Sequence, residues 1–168
     1  MPSRRLCGYT HIEHGFEPVF DARSRTLVLG SFPSVLSRAN EFYYGNPQNR
    51  FWRVMAACLS EPVPTTIAEK RTMLLAHGIA LWDVIESCDI KGSSDASIKN
   101  VVPADIARIT AVARIERVVC NGACAGRLYR RHLEPVVELP AEVFPSTSPA
   151  NAAWSLERLC GRWRQALG

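Results

Sequence analysis

Short apolar runs rich in branched side chains alternate along this chain with longer stretches whose apolar residues recur every three or four positions. The short runs predict buried strands, and the longer stretches predict amphipathic helices. The predicted strands are Thr26–Gly30, Ile79–Ile85, Ile115–Cys120 and a last one ending near Glu142–Pro145. The predicted helices are Asn49–Leu59, Thr65–His77, Pro103–Arg114, Ala123–Glu134 and Pro149–Leu167. This alternation predicts an α/β fold with a parallel sheet covered by helices on both faces.

Capping residues mark several of these boundaries. Thr65 follows a proline and is suited to cap the second helix, and Gly78 stands where that helix should end. Pro103 suits the first turn of the third helix, and Ser148, followed by a proline, suits the start of the last one. No linker rich in proline and glycine and no internal repeat divides the sequence, so we expect all 168 residues to form a single domain.

The composition narrows the class of protein. The chain is 47% hydrophobic and has no apolar run close to the roughly 20 residues that cross a bilayer. The first residues lack the apolar core of a secretion signal, so we expect a cytoplasmic protein. A net charge of +4 agrees with a nucleic-acid partner. The basic residues are mostly arginine, an excess that a GC-rich genome would explain equally well.

The six cysteines argue against a metal or iron–sulfur site. Only Cys120 and Cys124 are close together, and no second pair matches them. Cys58, Cys88 and Cys160 lie among apolar residues, as small core side chains do. We therefore predict that the chain binds no metal.

Three of the predicted strands end in segments that suit a ligand site. They are Gly30-Ser31-Phe32-Pro33, Leu81-Trp82-Asp83 and Pro145-Ser146-Thr147-Ser148-Pro149-Ala150-Asn151. The carboxyl ends of parallel strands meet at one edge of a sheet, and backbone N–H groups exposed there bind phosphates and carbonyl oxygens. The segment Phe42–Trp52 adds aromatic and amide side chains, which suit a flat polar ring such as a nucleobase.

Motifs of several other enzyme classes are absent from the sequence. There is no GxGxxG or GxxxxGK[ST] nucleotide loop and no GxSxG hydrolase turn. The four histidines lie outside the strand-end segments, so we predict surface or helix-terminal positions for His11, His14, His77 and His132. The longest polar insertion, Cys88–Asn100, is expected to be a mobile binding loop.

The combination of GSFP, FYYGNPQNRFW, GIALWDVIESCDIKGSSD and STSPAN resembles the hypoxanthine-DNA glycosylase family of the uracil-DNA glycosylase superfamily. The resemblance runs from about Phe20 to the C-terminus. It implies a three-layer α/β/α sandwich around a four-stranded parallel sheet, no cofactor, and excision of deaminated bases from DNA. It also implies that Asn49 is the catalytic residue and that Asp83 matches the base-recognising asparagine of relatives. Phe32 and Ser146 replace an asparagine and a histidine that serve catalysis in other branches.

Elementary chemistry assigns roles to these residues. Cleaving an N-glycosidic bond produces a cationic sugar and an anionic base, and Asn49 would orient the attacking water. Backbone N–H groups of Ser31 and Phe32 would receive negative charge on a base carbonyl. Tyr44 is expected to stack on the extruded base, although at least one of the two adjacent tyrosines should pack in the core. Asp83 would accept the ring N–H of hypoxanthine or uracil; alternatively, it caps the loop that follows it.

The remaining candidates concern contact with DNA. Flipping a base out of the stack leaves a gap, which Ala150 and Asn151 are positioned to fill. The other candidates for backbone contact are Ser34, Ser146, Ser148, Lys91 and Lys99. Two alternatives stay open: a DNA-binding module of the same fold without catalysis, and an α/β enzyme acting on free nucleosides through Asp83 and Asp95. We expect DNA with deaminated bases as the partner, no membrane contact and a monomer.

Overall fold

The computed structural model of the protein describes residues 5–6, 8–92 and 94–167. Its strands are β1 (Arg5–Leu6), β2 (Tyr9–Glu13), β3 (Thr26–Gly30), β4 (Ile79–Asp83), β5 (Ile85–Ile90), β6 (Lys99–Pro103), β7 (Arg117–Asn121) and β8 (Ala141–Phe144). Its helices are α1 (Val35–Asn40), α2 (Phe51–Leu59), α3 (Ile67–Ala76), α4 (Ala107–Thr110), α5 (Ala123–His132), α6 (Glu134–Val137) and α7 (Leu156–Leu167). Within these ranges, no helix has the length and apolar character needed to cross a membrane.

Four strands form a parallel sheet in the order β4-β3-β7-β8. Leu27 of β3 stands beside Ala80 of β4 on one side and Val118 of β7 on the other. The run Leu27–Leu29 is completely buried, as expected for a central strand covered on both faces. The predicted α/β fold is confirmed, and the carboxyl ends of all four strands lie along one edge.

A second sheet was not predicted. Strands β1, β2, β5 and β6 pair in that order, and every pairing is antiparallel. The expected mobile loop Cys88–Asn100 therefore begins on β5 and ends on β6. Ile85, Cys88 and Ile90 form a small buried cluster beneath this sheet, so its strands are held by packing as well as by hydrogen bonds.

The prediction of a third helix over Pro103–Arg114 is mostly wrong, because this segment begins in the unpredicted second sheet. Pro103 ends β6 and faces Ile85 of β5. Because β6 lies at the edge of its sheet, the missing N–H of proline is tolerated there. Only the four residues of α4 are helical in this segment.

Two helix starts also differ from the prediction. Thr66, not Thr65, caps α3: its hydroxyl accepts a hydrogen bond from the Glu69 N–H at 3.1 Å, while the Glu69 carboxylate accepts one from the Thr65 N–H at 3.0 Å. The last helix begins at Leu156 and not at Pro149.

A single arginine contacts the segment that precedes α7. The Arg50 guanidinium donates hydrogen bonds to the backbone carbonyls of Ser148 (2.8 Å), Asn151 (3.1 Å) and Trp154. The Ser148 and Asn151 carbonyls also accept from the backbone N–H groups three residues further on, at 3.0 and 3.2 Å. The segment before α7 is thereby held as a turn against the start of α2.

Candidate active site

A cavity of about 550 Å³ opens at the carboxyl ends of the parallel strands. Nine of the predicted site residues line it: Ser31, Phe32, Ser34, Tyr44, Asn49, Asp83, Ser146, Ser148 and Ala150. The end of β7 adds the segment from Asn121 to Cys124, and α1 adds Val35 and Arg38. The cavity is large enough for a nucleobase and part of its sugar. The structure thus brings together residues that are more than 100 positions apart in sequence.

Asn49 is fixed by hydrogen bonds to its side-chain oxygen. Oδ1 accepts from the Phe51 N–H at 2.9 Å and from the Thr147 hydroxyl at 2.8 Å. An amide oxygen has two lone pairs, and both are used here. The group that Asn49 can offer to a ligand is therefore its Nδ2 amide, a donor.

Asn121 connects Asn49 to Tyr44 through a shared network. Its Nδ2 donates to the Thr147 hydroxyl at 3.0 Å and to the Tyr44 hydroxyl at 3.2 Å, and its Oδ1 accepts from the Thr147 N–H at 3.0 Å. Thr147 is completely buried. Asn121 was not among the predicted site residues, although its position at the end of the third parallel strand is a signal that the sequence does carry.

The two adjacent tyrosines have different surroundings. Tyr43 is buried in the core, and its hydroxyl donates to the Glu17 carbonyl at 2.9 Å. Tyr44 stacks one ring face on Phe51, with centroids 4.0 Å apart, so a ligand can meet only the rest of the ring. Burial raises the pKa of Tyr44, the Asp83 charge raises it further, and the hydrogen bond from Asn121 lowers it. The hydroxyl therefore stays protonated at neutral pH and remains a donor.

Asp83 lies at the floor of the cavity and is bonded to a histidine. Its Oδ2 is 2.8 Å from Nε2 of His14, and both side chains are 4% exposed. Its Oδ1 lies against Gly30, where a Cβ atom would come within 2.3 Å of it and within 2.9 Å of the Tyr44 hydroxyl. Glycine is thus the residue that leaves space for both groups.

The predicted surface or helix-terminal position of His14 is wrong. His14 follows β2 of the second sheet and its N–H bonds the Glu86 carbonyl at 2.7 Å. That sheet was itself not predicted, and it carries His14 under the end of β4. Sequence alone offers no signal for this pairing, because 69 residues separate His14 from Asp83.

Ser31 and Phe32 form the first wall of the cavity. The Ser31 carbonyl accepts from the Ile85 N–H at 3.1 Å, which ties the turn to the second sheet. The Phe32 ring packs against the cluster around Ile85, and the Arg38 guanidinium lies 5.8 Å from its centroid. Burial lowers the pKa of Arg38, and its Nε atom is buried without a hydrogen-bond partner in the described structure.

The predicted DNA-contact serines make hydrogen bonds within their own turns. Ser34 caps α1 by accepting from the Ser37 N–H at 3.2 Å. Ser146 accepts from the Ser148 N–H at 3.1 Å, and Ser148 accepts from the Ala150 N–H at 3.2 Å. These bonds leave the hydroxyl hydrogens of Ser146 and Ser148 available to a phosphate.

The other predicted contacts lie at the rim or beyond it. The Asn151 amide donates to the Ser146 carbonyl at 3.0 Å and supports the turn, and this residue does not line the cavity. Lys91 follows β5 and Lys99 begins β6, and their ammonium groups lie 4.9 and 3.8 Å from the Tyr9 ring centroid. The side chain of Asp95 lies outside the described part of the structure.

The cysteines outside residue 7, which is not described, are mostly core residues. Cys58, Cys88 and Cys160 are buried, as predicted. Burial raises the pKa of Cys58 to about 11 and that of Cys120 to about 12, so both thiols are protonated at neutral pH. Across the described ranges, no three His, Cys, Asp or Glu side chains are grouped as metal ligands would be.

Comparison with known proteins finds relatives that match most of the chain. The chain is 34% identical over 152 residues to a protein of Methanosarcina acetivorans named hypoxanthine DNA glycosylase, a match that covers 88% of this chain and 93% of the relative. A protein of the same name from Methanosarcina barkeri is 29% identical over 160 residues, covering 92% and 98% of the two chains.

A solved structure has the same fold. The solution NMR structure of a candidate uracil DNA glycosylase from Methanosarcina acetivorans superposes with a TM-score of 0.79 at 30% identity, covering 92% of this chain and 96% of that one. The family model described as the uracil DNA glycosylase superfamily matches residues 17–166. The chain therefore belongs to the uracil DNA glycosylase superfamily, as the four ordered motifs indicated.

Proposed function

We propose that this protein is a monofunctional DNA glycosylase that excises deaminated bases, hypoxanthine and/or uracil, from DNA. The observation that carries the proposal is the cavity at the strand ends, in which the Asn49 amide, the protonated Tyr44 and the Asp83 carboxyl group meet. The names of the two Methanosarcina relatives support the same substrate class.

The proposed reaction is hydrolysis of the bond between C1′ and the base. A water oxygen forms a new bond to C1′, the C1′–N bond breaks, and its electron pair leaves with the base, which then takes a proton. The Asn49 Nδ2 group would hold the water oxygen through a donated hydrogen bond, because its Oδ1 is already used. Backbone N–H groups of Ser31 and Phe32 would receive negative charge on a base carbonyl.

Base selection would rest on Asp83. Hypoxanthine carries a proton on N1 and uracil carries one on N3, whereas adenine and cytosine have none at these positions. An acceptor fixed at Oδ1 would pair with the deaminated bases and leave the normal ones without a partner. Asp83 lines the cavity and bonds to His14, 69 positions away, and these two observations support recognition over the alternative that Asp83 caps the loop after it.

Entry of a base requires its extrusion from the duplex, which leaves a gap in the stack. Ala150 is small, whereas Val35 on α1 lines the cavity and is 58% exposed, and the neighbouring Leu36 is 46% exposed. We therefore favour these two aliphatic side chains over Ala150 as the group that enters the gap. Arg38 also lines the cavity, so its guanidinium would meet a phosphate or a base carbonyl beside them.

The proposal is tested with duplex oligonucleotides that carry one hypoxanthine or one uracil, followed by alkali to cut abasic sites. A glycosylase is supported if the wild-type protein causes strand cutting and the Asn49→Ala variant does not. Retention of the oligonucleotide without cutting would select the binding module, which the replacement of catalytic side chains by Phe32 and Ser146 favours. Release of base from free inosine or uridine, without release from the DNA substrates, would select a nucleoside enzyme.

A monomeric state and a cytoplasmic location are part of the same proposal. Size-exclusion chromatography tests the first, and cell fractionation tests the second.

A further inference from the structure

His14 is a buried titratable group that the proposed mechanism leaves unused. We infer that His14 is a positioning residue for base recognition: it shares one proton with Asp83, so that Asp83 is held in place as an acceptor within a pair of zero net charge. The role in base recognition rests on the proposed function. The protonation of the His14–Asp83 pair does not depend on that function.

The protonation follows from the partners of the imidazole ring. Nδ1 of His14 lies 3.0 Å from the backbone carbonyl oxygen of Phe16. A carbonyl oxygen can only accept, so Nδ1 carries a hydrogen. Nε2 lies 2.8 Å from Asp83 Oδ2, a distance that requires one proton between the two atoms.

Either position of that proton gives the same net charge. On Nε2 it makes an imidazolium beside a carboxylate, and on Oδ2 it makes a neutral imidazole beside a neutral acid. The buried pair holds one proton between its two facing atoms, and it is therefore neutral in both forms.

Neutrality matters because the leaving base gains negative charge. A lone carboxylate at the cavity floor would repel that charge and slow the reaction. With His14 as its partner, Asp83 can contact the base without adding net negative charge to the site. The pairing therefore reconciles an acidic base-recognition residue with an anionic leaving group.

Packing keeps the pair rigid. The His14 ring lies 4.2 Å from the Phe16 ring and 5.9 Å from the Tyr43 ring, measured between centroids. The bond to Oδ2 sets the carboxyl orientation and leaves Oδ1 at the Gly30 wall of the cavity. A recognition group held by its neighbours loses little orientation freedom when the base arrives.

A double-mutant cycle tests the role. In His14→Gln, the new amide can still donate to Asp83 but cannot share a proton with it. We expect single-turnover base release to fall about tenfold or more in this variant, within the range of coupling seen in one hydrogen-bond network. In an Asp83→Asn background the same change should alter the rate by less than about threefold, because the asparagine is neutral and needs no compensation. Equal losses in both backgrounds would show a merely structural role and overturn the inference.

The surface pair His11 and Asp89 provides a matched control. These residues are cross-strand partners on β2 and β5, with Nδ1 and Oδ1 2.9 Å apart, and the His11 side chain is 47% exposed. His11→Gln removes a histidine of the same sheet and the same pairing type outside the cavity, so its excision rate should equal that of the wild type. A similar loss in both histidine variants would also count against the inference.

Nitrogen-15 NMR of the His14 ring in the wild-type protein separates this inference from the proposed function. We expect Nδ1 to carry a hydrogen at neutral pH, whether or not the protein releases a base. A proton-free Nδ1 would mean a neutral imidazole donating through Nε2 to a bare carboxylate, and would overturn the neutral pair. An inert wild-type protein with the expected Nδ1 signal would overturn only the proposed function.

Discussion

Gly30→Ala is the sharpest test of the site geometry. The new Cβ would lie 2.3 Å from Asp83 Oδ1 and 2.9 Å from the Tyr44 hydroxyl, whereas ordinary contacts begin near 3.4 Å. The carboxylate must therefore move by about 1 Å, a misplacement that costs on the order of 10²-fold in rate. Overpacking of this kind costs about 1–3 kcal/mol of stability, part of which the lower entropy of the unfolded alanine chain offsets.

Single-turnover excision and the melting temperature should be measured together on this variant. Gly126→Ala is the matched control. Its new Cβ would lie 2.5 Å from Val143 Cγ2, so it introduces a similar overlap without touching Asp83 or Tyr44. It should lower the melting temperature but keep the excision rate of the folded protein. A Gly30→Ala enzyme with wild-type rate and base selectivity would refute the assignment of Asp83 and Tyr44 to the reacting region.

Four further predictions concern the same cavity and helix α1 beside it. Asn49→Ala should slow base release by about 10²-fold while a mobility-shift assay still detects duplex binding; a near-normal single-turnover rate would move the chemistry elsewhere. Tyr44→Ala should weaken retention of the flipped base by roughly 1–3 kcal/mol, measured by 2-aminopurine fluorescence, whereas Tyr43→Ala should mainly lower the melting temperature, and the reverse result would exchange their roles. Asp83→Asn should keep partial activity with a changed ratio of hypoxanthine to uracil release, and Asp83→Ala should lose about 1–3 kcal/mol more; an unchanged ratio in both removes Asp83 from recognition. Leu36→Ser should reduce excision from a matched duplex more than from single-stranded DNA, and equal effects on both substrates would exclude a role in filling the gap.

The sequence by itself determined the parallel sheet and the edge at which the cavity forms. Short runs such as Leu27–Leu29 are apolar at every position, because a central parallel strand is covered on both faces. Their carboxyl ends meet at one edge in any parallel sheet, so Gly30, Asp83 and Ser146 could be assigned to one site without coordinates. The motif resemblance supplied Asn49 in the same way, because it depends on local sequence alone.

The tertiary structure decided the second sheet and the chemistry that depends on it. Strands β5 and β6 contain polar residues such as Asp89 and Lys99, and they resemble a loop until β2 pairs beside them. His14 reaches Asp83 only through that pairing, and Asn121 reaches Asn49 only through the buried Thr147. The spacing of apolar residues indicates which faces of a segment are buried. It does not indicate which distant segments pack against each other, and these contacts depend on that. The packing of the whole chain decides which segments meet, and hence the pairing of His14 with Asp83 could not be predicted from the pattern of residues.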